Sequence, residues 1–178
     1  MLKWLLVAVV LGLVLLLWRI SAMAKARLPK VNHAAPDFEL PDQNGALRSS
    51  GEFRGRWLVL YFYPRDDTPG CTEQAARFRD AMDEIEALGA SVCGVSVDDS
   101  TSHAAFARKY NLPFALLADA RGAIAERYGS LVNLGFLRFA RRNTFLIDPH
   151  GRIAKVYLGV NPARNAGDVT NDLRQLKP

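Results

Sequence analysis

Cys71 follows Thr68 by three residues and Pro64 by seven, in the run Pro64-Arg65-Asp66-Asp67-Thr68-Pro69-Gly70-Cys71. A cysteine just past a Pro/Gly turn, where a helix begins, is placed for nucleophilic chemistry. The helix dipole and the unpaired N–H groups of the first turn favour its thiolate, the form that attacks electrophiles. Thr68 can turn its hydroxyl into the same pocket, and Pro69 and Gly70 can fix the approach. The alternative for a cysteine is a small buried hydrophobe. Cys93, inside the apolar run 91–97 (SVCGVSV), fits that second description. Arg138, Arg141 and Arg142 form a short basic run which, taken alone, reads as a solvated face. The three histidines, His33, His103 and His150, lack ligand spacing, and the adjacent Asp66 and Asp67 suit turn formation and solubility. Two cysteines in all exclude a four-thiolate metal site and a disulfide-stapled scaffold. No Gly-rich phosphate loop follows a strand, so a nucleotide cofactor is not expected, and without ligand spacing neither is a metal.

The elements that must position Cys71 alternate between strand and helix patterns. Residues 57–63 (WLVLYFY) form a continuous apolar run of the kind a doubly covered central strand shows. Residues 71–88 carry Ala75, Phe78, Met82 and Ile85 at helical spacing and stop at Gly89. Residues 91–97 and 114–118 predict two more strands, with a helix over 102–110 between them. Residues 123–128 read as a short helical turn. The connection 129–141 carries Leu131, Val132, Leu134, Phe136 and Leu137, expected to cover the domain's own core. Residues 143–147 and 153–158 flank Asp148-Pro149-His150-Gly151, a hairpin signal, and 167–176 predict a closing helix. The pattern implies three-layer α/β, a mixed central sheet with helices on both faces. Cys71 then sits outside the carboxyl end of a central strand, where open α/β sheets bind ligands.

The length of 178 residues allows one compact domain plus a tail or anchor. With 49% apolar and 23% charged residues the chain is too apolar to be disordered. The net charge of +5 comes from residues 1–30, which hold Lys3, Arg19, Lys25, Arg27 and Lys30 and no acid; the remainder is formally neutral. Nucleic acid binding driven by bulk charge is therefore not expected. Residues 4–18 are 15 uncharged residues, about 22 Å as a helix against a hydrocarbon core of about 30 Å. Terminal Trp4 and Trp18, with Lys3 and Arg19 snorkelling, lead to residues 1–20 being taken as a single-pass membrane anchor touching the lipid bilayer. The competing possibility is a signal segment cleaved after Ala24 or Ala26, which would leave the domain periplasmic. Residues 21–36 are expected to form a flexible basic linker, and 37–178 the folded domain.

Three segments in order resemble the peroxiredoxin family. Pro64-x-x-x-Thr68-x-x-Cys71 is similar to its active-site signature, and YFYPRDDTPGCT resembles the PrxQ, or bacterioferritin comigratory protein, group. Residues 94–98 (GVSVD) and 142–151 (RNTFLIDPHG) resemble further segments of that group, the latter carrying its active-site arginine. The resemblance covers roughly residues 33–177. It implies a thioredoxin-like fold and a thiol-dependent peroxidase acting on hydrogen peroxide and organic hydroperoxides. It makes Cys71 the nucleophile, Thr68 a substrate-positioning group, Arg142 the cationic stabiliser and Pro64 a shield against water. Many such proteins carry a resolving cysteine five residues on, which here is Ala76, or in a later helix, here 102–110, which has none. The expected scheme is therefore a one-cysteine mechanism. Its external thiol reductant would be thioredoxin, glutaredoxin or a low-molecular-weight thiol, and the enzyme a monomer or weak dimer. The lack of Cys-x-x-Cys disfavours a dithiol oxidoreductase of the thioredoxin kind. A membrane-tethered thiol sensor of the same fold, with little turnover, is the rival function.

Overall fold

The structure, a computed structural model, describes residues 4, 7, 10–12, 14–15 and 28–176. Its centre is a five-stranded mixed sheet built on β3 (Trp57–Phe62). On one side β3 pairs in parallel with β4 (Ala90–Ser96), and β4 with β5 (Ala115–Ala118). On the other it pairs antiparallel with β8 (Thr144–Ile147), and β8 with β9 (Ile153–Tyr157). The order is thus β5-β4-β3-β8-β9. Leu58 through Tyr63 are all buried, which is why the sequence there shows no polar alternation.

Two apolar clusters, one on each face of the sheet, make the three layers. Val59 and Tyr61 of β3 and Val92 of β4 pack against α1 (Pro69–Asp80), α2 (Met82–Ala87), α3 (Ser100–Tyr110) and α5 (Asn165–Leu176). Leu58, Leu60 and Phe62, with Cys93 and Val95, face the other way, onto Phe38, Leu40 and α4 (Ala123–Arg127). The period of two along each strand makes this division unavoidable. Gly94 of β4 marks a tight spot on the first face. A Cβ there would lie 2.8 Å from the Tyr61 ring and 2.9 Å from Leu116 Cδ2.

Four expectations need correction. The pattern 71–88 is not one helix. Ala81, at φ −96° and ψ 2°, separates α1 from α2, and its N–H is shared between the carbonyls of Arg77 and Phe78. The apolar spacing continues across the break, so periodicity alone could not reveal it. The connection 129–141 is instead a ribbon, β6 (Leu131–Asn133) and β7 (Arg138–Ala140), and its tip does not cover the core: Phe136 is 92% exposed. Three-residue strands carry too little period to be read from sequence. A short strand pair, β1 (Glu39–Pro41) with β2 (Leu47–Ser49), precedes β3.

The remaining corrections concern the N-terminal residues. From Leu28 onward the chain is docked rather than free. Leu28 and Ala35 pack on the second cluster, Asn32 N–H donates to Ile153 O, and Ala35 N–H to Gly151 O. These bonds cover the start of edge strand β9. The single-pass anchor over residues 1–20, with its bilayer contact and membrane location, is not borne out. Among the described residues no helix is long and apolar enough to cross a membrane. Fifteen apolar residues fall short of the roughly 20 that a helical span requires. The cleavage positions after Ala24 and Ala26 lie outside the described residues.

The contact at Gly94 generates a stability test. Gly94→Ala should lower unfolding free energy by about 1–3 kcal/mol through overpacking. Gly167→Ala, in α5 with nothing within 4 Å of the new Cβ, should instead stabilise by about 0.4–1 kcal/mol. Urea denaturation of the two variants checks both signs.

Candidate active site

The direction of β8 determines the site. Because β8 runs antiparallel to β3, its first residue, Thr144, lies beside Tyr61 near the carboxyl end of β3. Phe62 N–H donates to Asn143 O at 2.7 Å, one residue further along. Arg142 therefore arrives at the loop leaving β3, although 71 residues separate it from Cys71. Strand β9 returns to the same edge, with Tyr157 opposite Thr144, so α5 also begins there.

Cys71 occupies the third position of α1, after Thr68 at the N-cap, Pro69 and Gly70. The residue is buried. Thr68 does not cap the helix with its side chain; its hydroxyl donates to Arg65 O at 3.1 Å. The helical ladder opens with Thr72 N–H donating to Thr68 O, so the N–H groups of Gly70 and Cys71 precede it and form the positive end of the helix. With its proton engaged by Arg65, the Thr68 oxygen can act toward the site only as an acceptor.

Arg142 Nη2 donates to Cys71 Sγ at 3.3 Å. Its Nη1 donates to Gln74 Oε1 at 2.7 Å and to Gly70 O at 3.3 Å. The half-buried guanidinium is thus held at three points, all on the first turns of α1. Gly70 leaves room for this approach: a Cβ there would lie 3.2 Å from Arg142 Nη2, tight enough to press on the guanidinium, and 3.5 Å from Pro162 Cγ. Gln74, fully buried, passes its Nε2 to Asn165 Oδ1 at 2.8 Å, and Thr144 Oγ1 donates to that same oxygen at 2.8 Å. Pro64, half-buried, lines a groove with Arg142, Val132, Phe139 and Leu158.

A second polar group secures the loop 64–68 from behind. Asp66 accepts from Tyr63 Oη at 2.7 Å, Ser102 Oγ at 2.7 Å and His103 Nδ1 at 2.8 Å, while its own N–H donates to Asp98. Burial alone would raise the Asp66 carboxyl, but the His103 hydrogen bond and charge, with the two hydroxyls, hold it below its ordinary value. Asp67, at φ +55°, is exposed and receives Lys109 Nζ and Tyr110 Oη. Asp66 therefore is a buried anchor rather than a solubilising loop acid, and His103 a buried partner rather than an isolated helix-start residue.

Cys71, Thr68, Arg142 and Pro64, singled out from the sequence, all border one edge of the sheet. Arg142 leaves the basic run: it faces Cys71, whereas Arg138 Nη1 donates to the Arg121 carbonyl. Cys93 lies apart, on the opposite face of the sheet, and burial pushes its thiol up to about 12. Gln74, Asn165 and the Asp66–His103 pair were missed. Gln74 had a signal, since it stands one helical turn after Cys71. Asn165 had none.

The matching family model, described as the AhpC/TSA family, spans residues 31–156. This chain belongs to that family. It is a peroxiredoxin of the peroxiredoxin Q, or bacterioferritin comigratory protein, group. It is 39% identical over 150 residues to a putative peroxiredoxin bcp of Coxiella burnetii, covering 81% of this chain and 98% of that one. It is 42% identical over 139 residues to a chloroplastic peroxiredoxin Q of Populus jackii, covering 77% of this chain but 65% of the relative. The chain thus spans just under two thirds of that relative's length. Among solved structures, peroxidoxin BcpB of Mycobacterium tuberculosis superposes with a TM-score of 0.80 at 33% identity, over 84% of this chain and 99% of that one. The thioredoxin-like peroxiredoxin architecture is thereby shown.

The lowered Asp66 carboxyl makes the peroxiredoxin's stability acid-sensitive. A carboxyl depressed in the folded state stabilises it fully above the unfolded value, about 3.9, and loses that contribution as pH falls through the folded value. Asp66→Asn should therefore reduce stability at pH 7 and flatten the decline below about pH 4. Urea midpoints measured from pH 7 to pH 3 for both proteins check this.

Proposed function

We propose that this peroxiredoxin is a thiol-dependent peroxidase reducing hydrogen peroxide and organic hydroperoxides at Cys71. The observation that carries the proposal is the Arg142 guanidinium 3.3 Å from Cys71 Sγ at a helix N-terminus left without a side-chain cap. The thiolate attacks one peroxide oxygen, an S–O bond forms as O–O breaks, and the other oxygen leaves as hydroxide or alkoxide and takes a proton. Negative charge moves from sulfur to the departing oxygen, and Arg142 with the first-turn N–H groups stabilises it along that path. Thr68 Oγ, restricted to accepting, receives the hydroperoxide's O–H and so orients it. Pro64 excludes water from the reacting atoms. The apolar wall of the adjoining groove, with Val132, Phe139 and Leu158, suits the carbon chain of an organic hydroperoxide.

Cys71 ends the first step as a sulfenic acid. An external thiol then attacks that sulfur, releasing water and forming a mixed disulfide. A second thiol frees Cys71 as the reductant leaves as its disulfide. Position 76 is alanine and α3 has no cysteine. Cys93 would have to cross the sheet to resolve Cys71, which supports the one-cysteine scheme. In this scheme residues 37–178 form the catalytic domain, and every group comes from one chain, so a monomer suffices. A thiol sensor with little turnover has no observation in its favour.

The test is peroxide consumption by the full chain with thioredoxin, with glutaredoxin plus glutathione, and with dithiothreitol. Cys71→Ser should abolish turnover and Cys93→Ser should retain most of it. If both variants were equally inactive with dithiothreitol and folded, the one-cysteine scheme would be wrong. Arg142→Met should slow Cys71 oxidation more than about tenfold, whereas Arg138→Met and Arg141→Met should change it far less. Equal losses at all three would assign Arg142 to the solvated run.

A further inference from the structure

We propose that Asn165, at the start of α5, is a positioning residue: it sets which way the buried Gln74 amide faces and so keeps the Arg142 guanidinium on Cys71. The proposal rests on the peroxidase chemistry above for its consequence, and on the hydrogen-bond geometry for its cause.

A primary amide has an acceptor end and a donor end of nearly equal shape, so a buried glutamine can occupy either of two orientations. Only one works here. Arg142 is a pure donor and needs Gln74 Oε1, which it meets at 2.7 Å. Turned over, Gln74 would present Nε2 to Nη1, donor against donor, and Arg142 would lose the neighbour that aims it. The orientation is secured from the far side only if the group facing Nε2 is an acceptor. Asn165 Oδ1 is that group, at 2.8 Å.

Asn165 is itself an amide, and its own direction is equally constrained. Its Oδ1 accepts from both Gln74 and Thr144, while its Nδ2 is buried with no hydrogen-bond partner among the described residues. A buried unpaired donor is unfavourable and rare in folded proteins. The strain has one direction: rotating Asn165 to relieve Nδ2 would aim a donor at Gln74 Nε2. The residue therefore serves through its acceptor end alone. Asn165, Gln74 and Arg142 are also fully or partly enclosed, so water is poorly placed to substitute for either amide.

An acceptor-only role separates two substitutions at one position. Asn165→Leu keeps the branched shape at somewhat larger volume and removes the acceptor, with Asn165→Ala as the smaller counterpart; Asn165→Asp keeps an acceptor for Gln74 whether its carboxyl is protonated or ionised. The second-order rate of Cys71 oxidation by hydrogen peroxide should fall about tenfold or more in Asn165→Leu, and recover to within about threefold of the parent in Asn165→Asp. In a Gln74→Leu background, with no amide to orient, Asn165→Leu should add less than about twofold. Equal losses in the leucine and aspartate variants, or a leucine effect undiminished in the Gln74→Leu background, would overturn the proposal. If the leucine variant does not fold, Asn165→Ala carries the same comparison. Alkylation of Cys71 by iodoacetamide, in a Cys93→Ser background, reads the thiol without peroxide and should follow the same order. A parent protein inert to peroxide would defeat the peroxidase assignment, and the alkylation series would still decide the role of Asn165.

Discussion

The antiparallel register of β8 on β3, Leu60 against Phe145 and Tyr61 against Thr144, determines what can meet at the end of the sheet. A parallel β8 would carry its first residue to the opposite edge, four residues of strand away. In the observed pairing the guanidinium of Arg142, the loop leaving β3 and the start of α5 converge without any long excursion of the chain. The convergence is rigid for the same reason. Phe145 and Leu146 are fully buried on the two faces of the sheet, so a one-residue slip would exchange them between the two clusters and misfit both. The backbone of Arg142 is thus positioned by apolar packing that contains no charge, and hydrogen bonds then aim its guanidinium.

The same alternation separates the two thiols. Cys71 belongs to the cluster of Val59, Tyr61 and Phe78, and Cys93 to that of Leu60, Phe62 and Phe145. One thiol is at a helix start with a cation beside it; the other is sealed in hydrocarbon and kept protonated by burial. Two cysteines of one chain thereby occupy opposite environments with no difference in their covalent chemistry. Tyr61 shows the same selection among hydroxyls. Burial first, then the nearby Cys71, push its phenol well above the ordinary value, so it stays neutral.

How much of this was legible in the sequence depended on the range of the interaction. The central strand, Cys71 at a helix start and the hairpin at Asp148 could be read because each is a local pattern of six to ten residues. Thr68 was legible through its spacing from Cys71, and Pro64 through the resemblance. Arg142 could be placed only through resemblance, since its own neighbours describe a basic surface run. Gln74 was within reach on helical spacing. Asn165, 91 residues from Gln74, was not, because nothing local distinguishes an asparagine that accepts from one that caps. Asp66 was misjudged for the converse reason: adjacent acids look soluble until a histidine 37 residues away closes over one of them. The ribbon β6–β7 and the break at Ala81 escaped because they change backbone direction without changing apolar period.

Leu28 has a practical bearing on how the protein can be handled. It lines the same groove as Pro64 and Arg142 while packing on the second cluster, so the described part of the domain begins beside the candidate site. A handle, fluorophore or fusion partner joined directly at Leu28, in a chain shortened to that residue, would start beside this groove. The opposite holds for α5. It begins at the site with Asn165 and carries the chain about 18 Å away over its 12 residues, to the exposed Leu176. Attachment through the carboxyl-terminal end therefore leaves the entrance unobstructed, and surface immobilisation from that side would present the thiol edge outward.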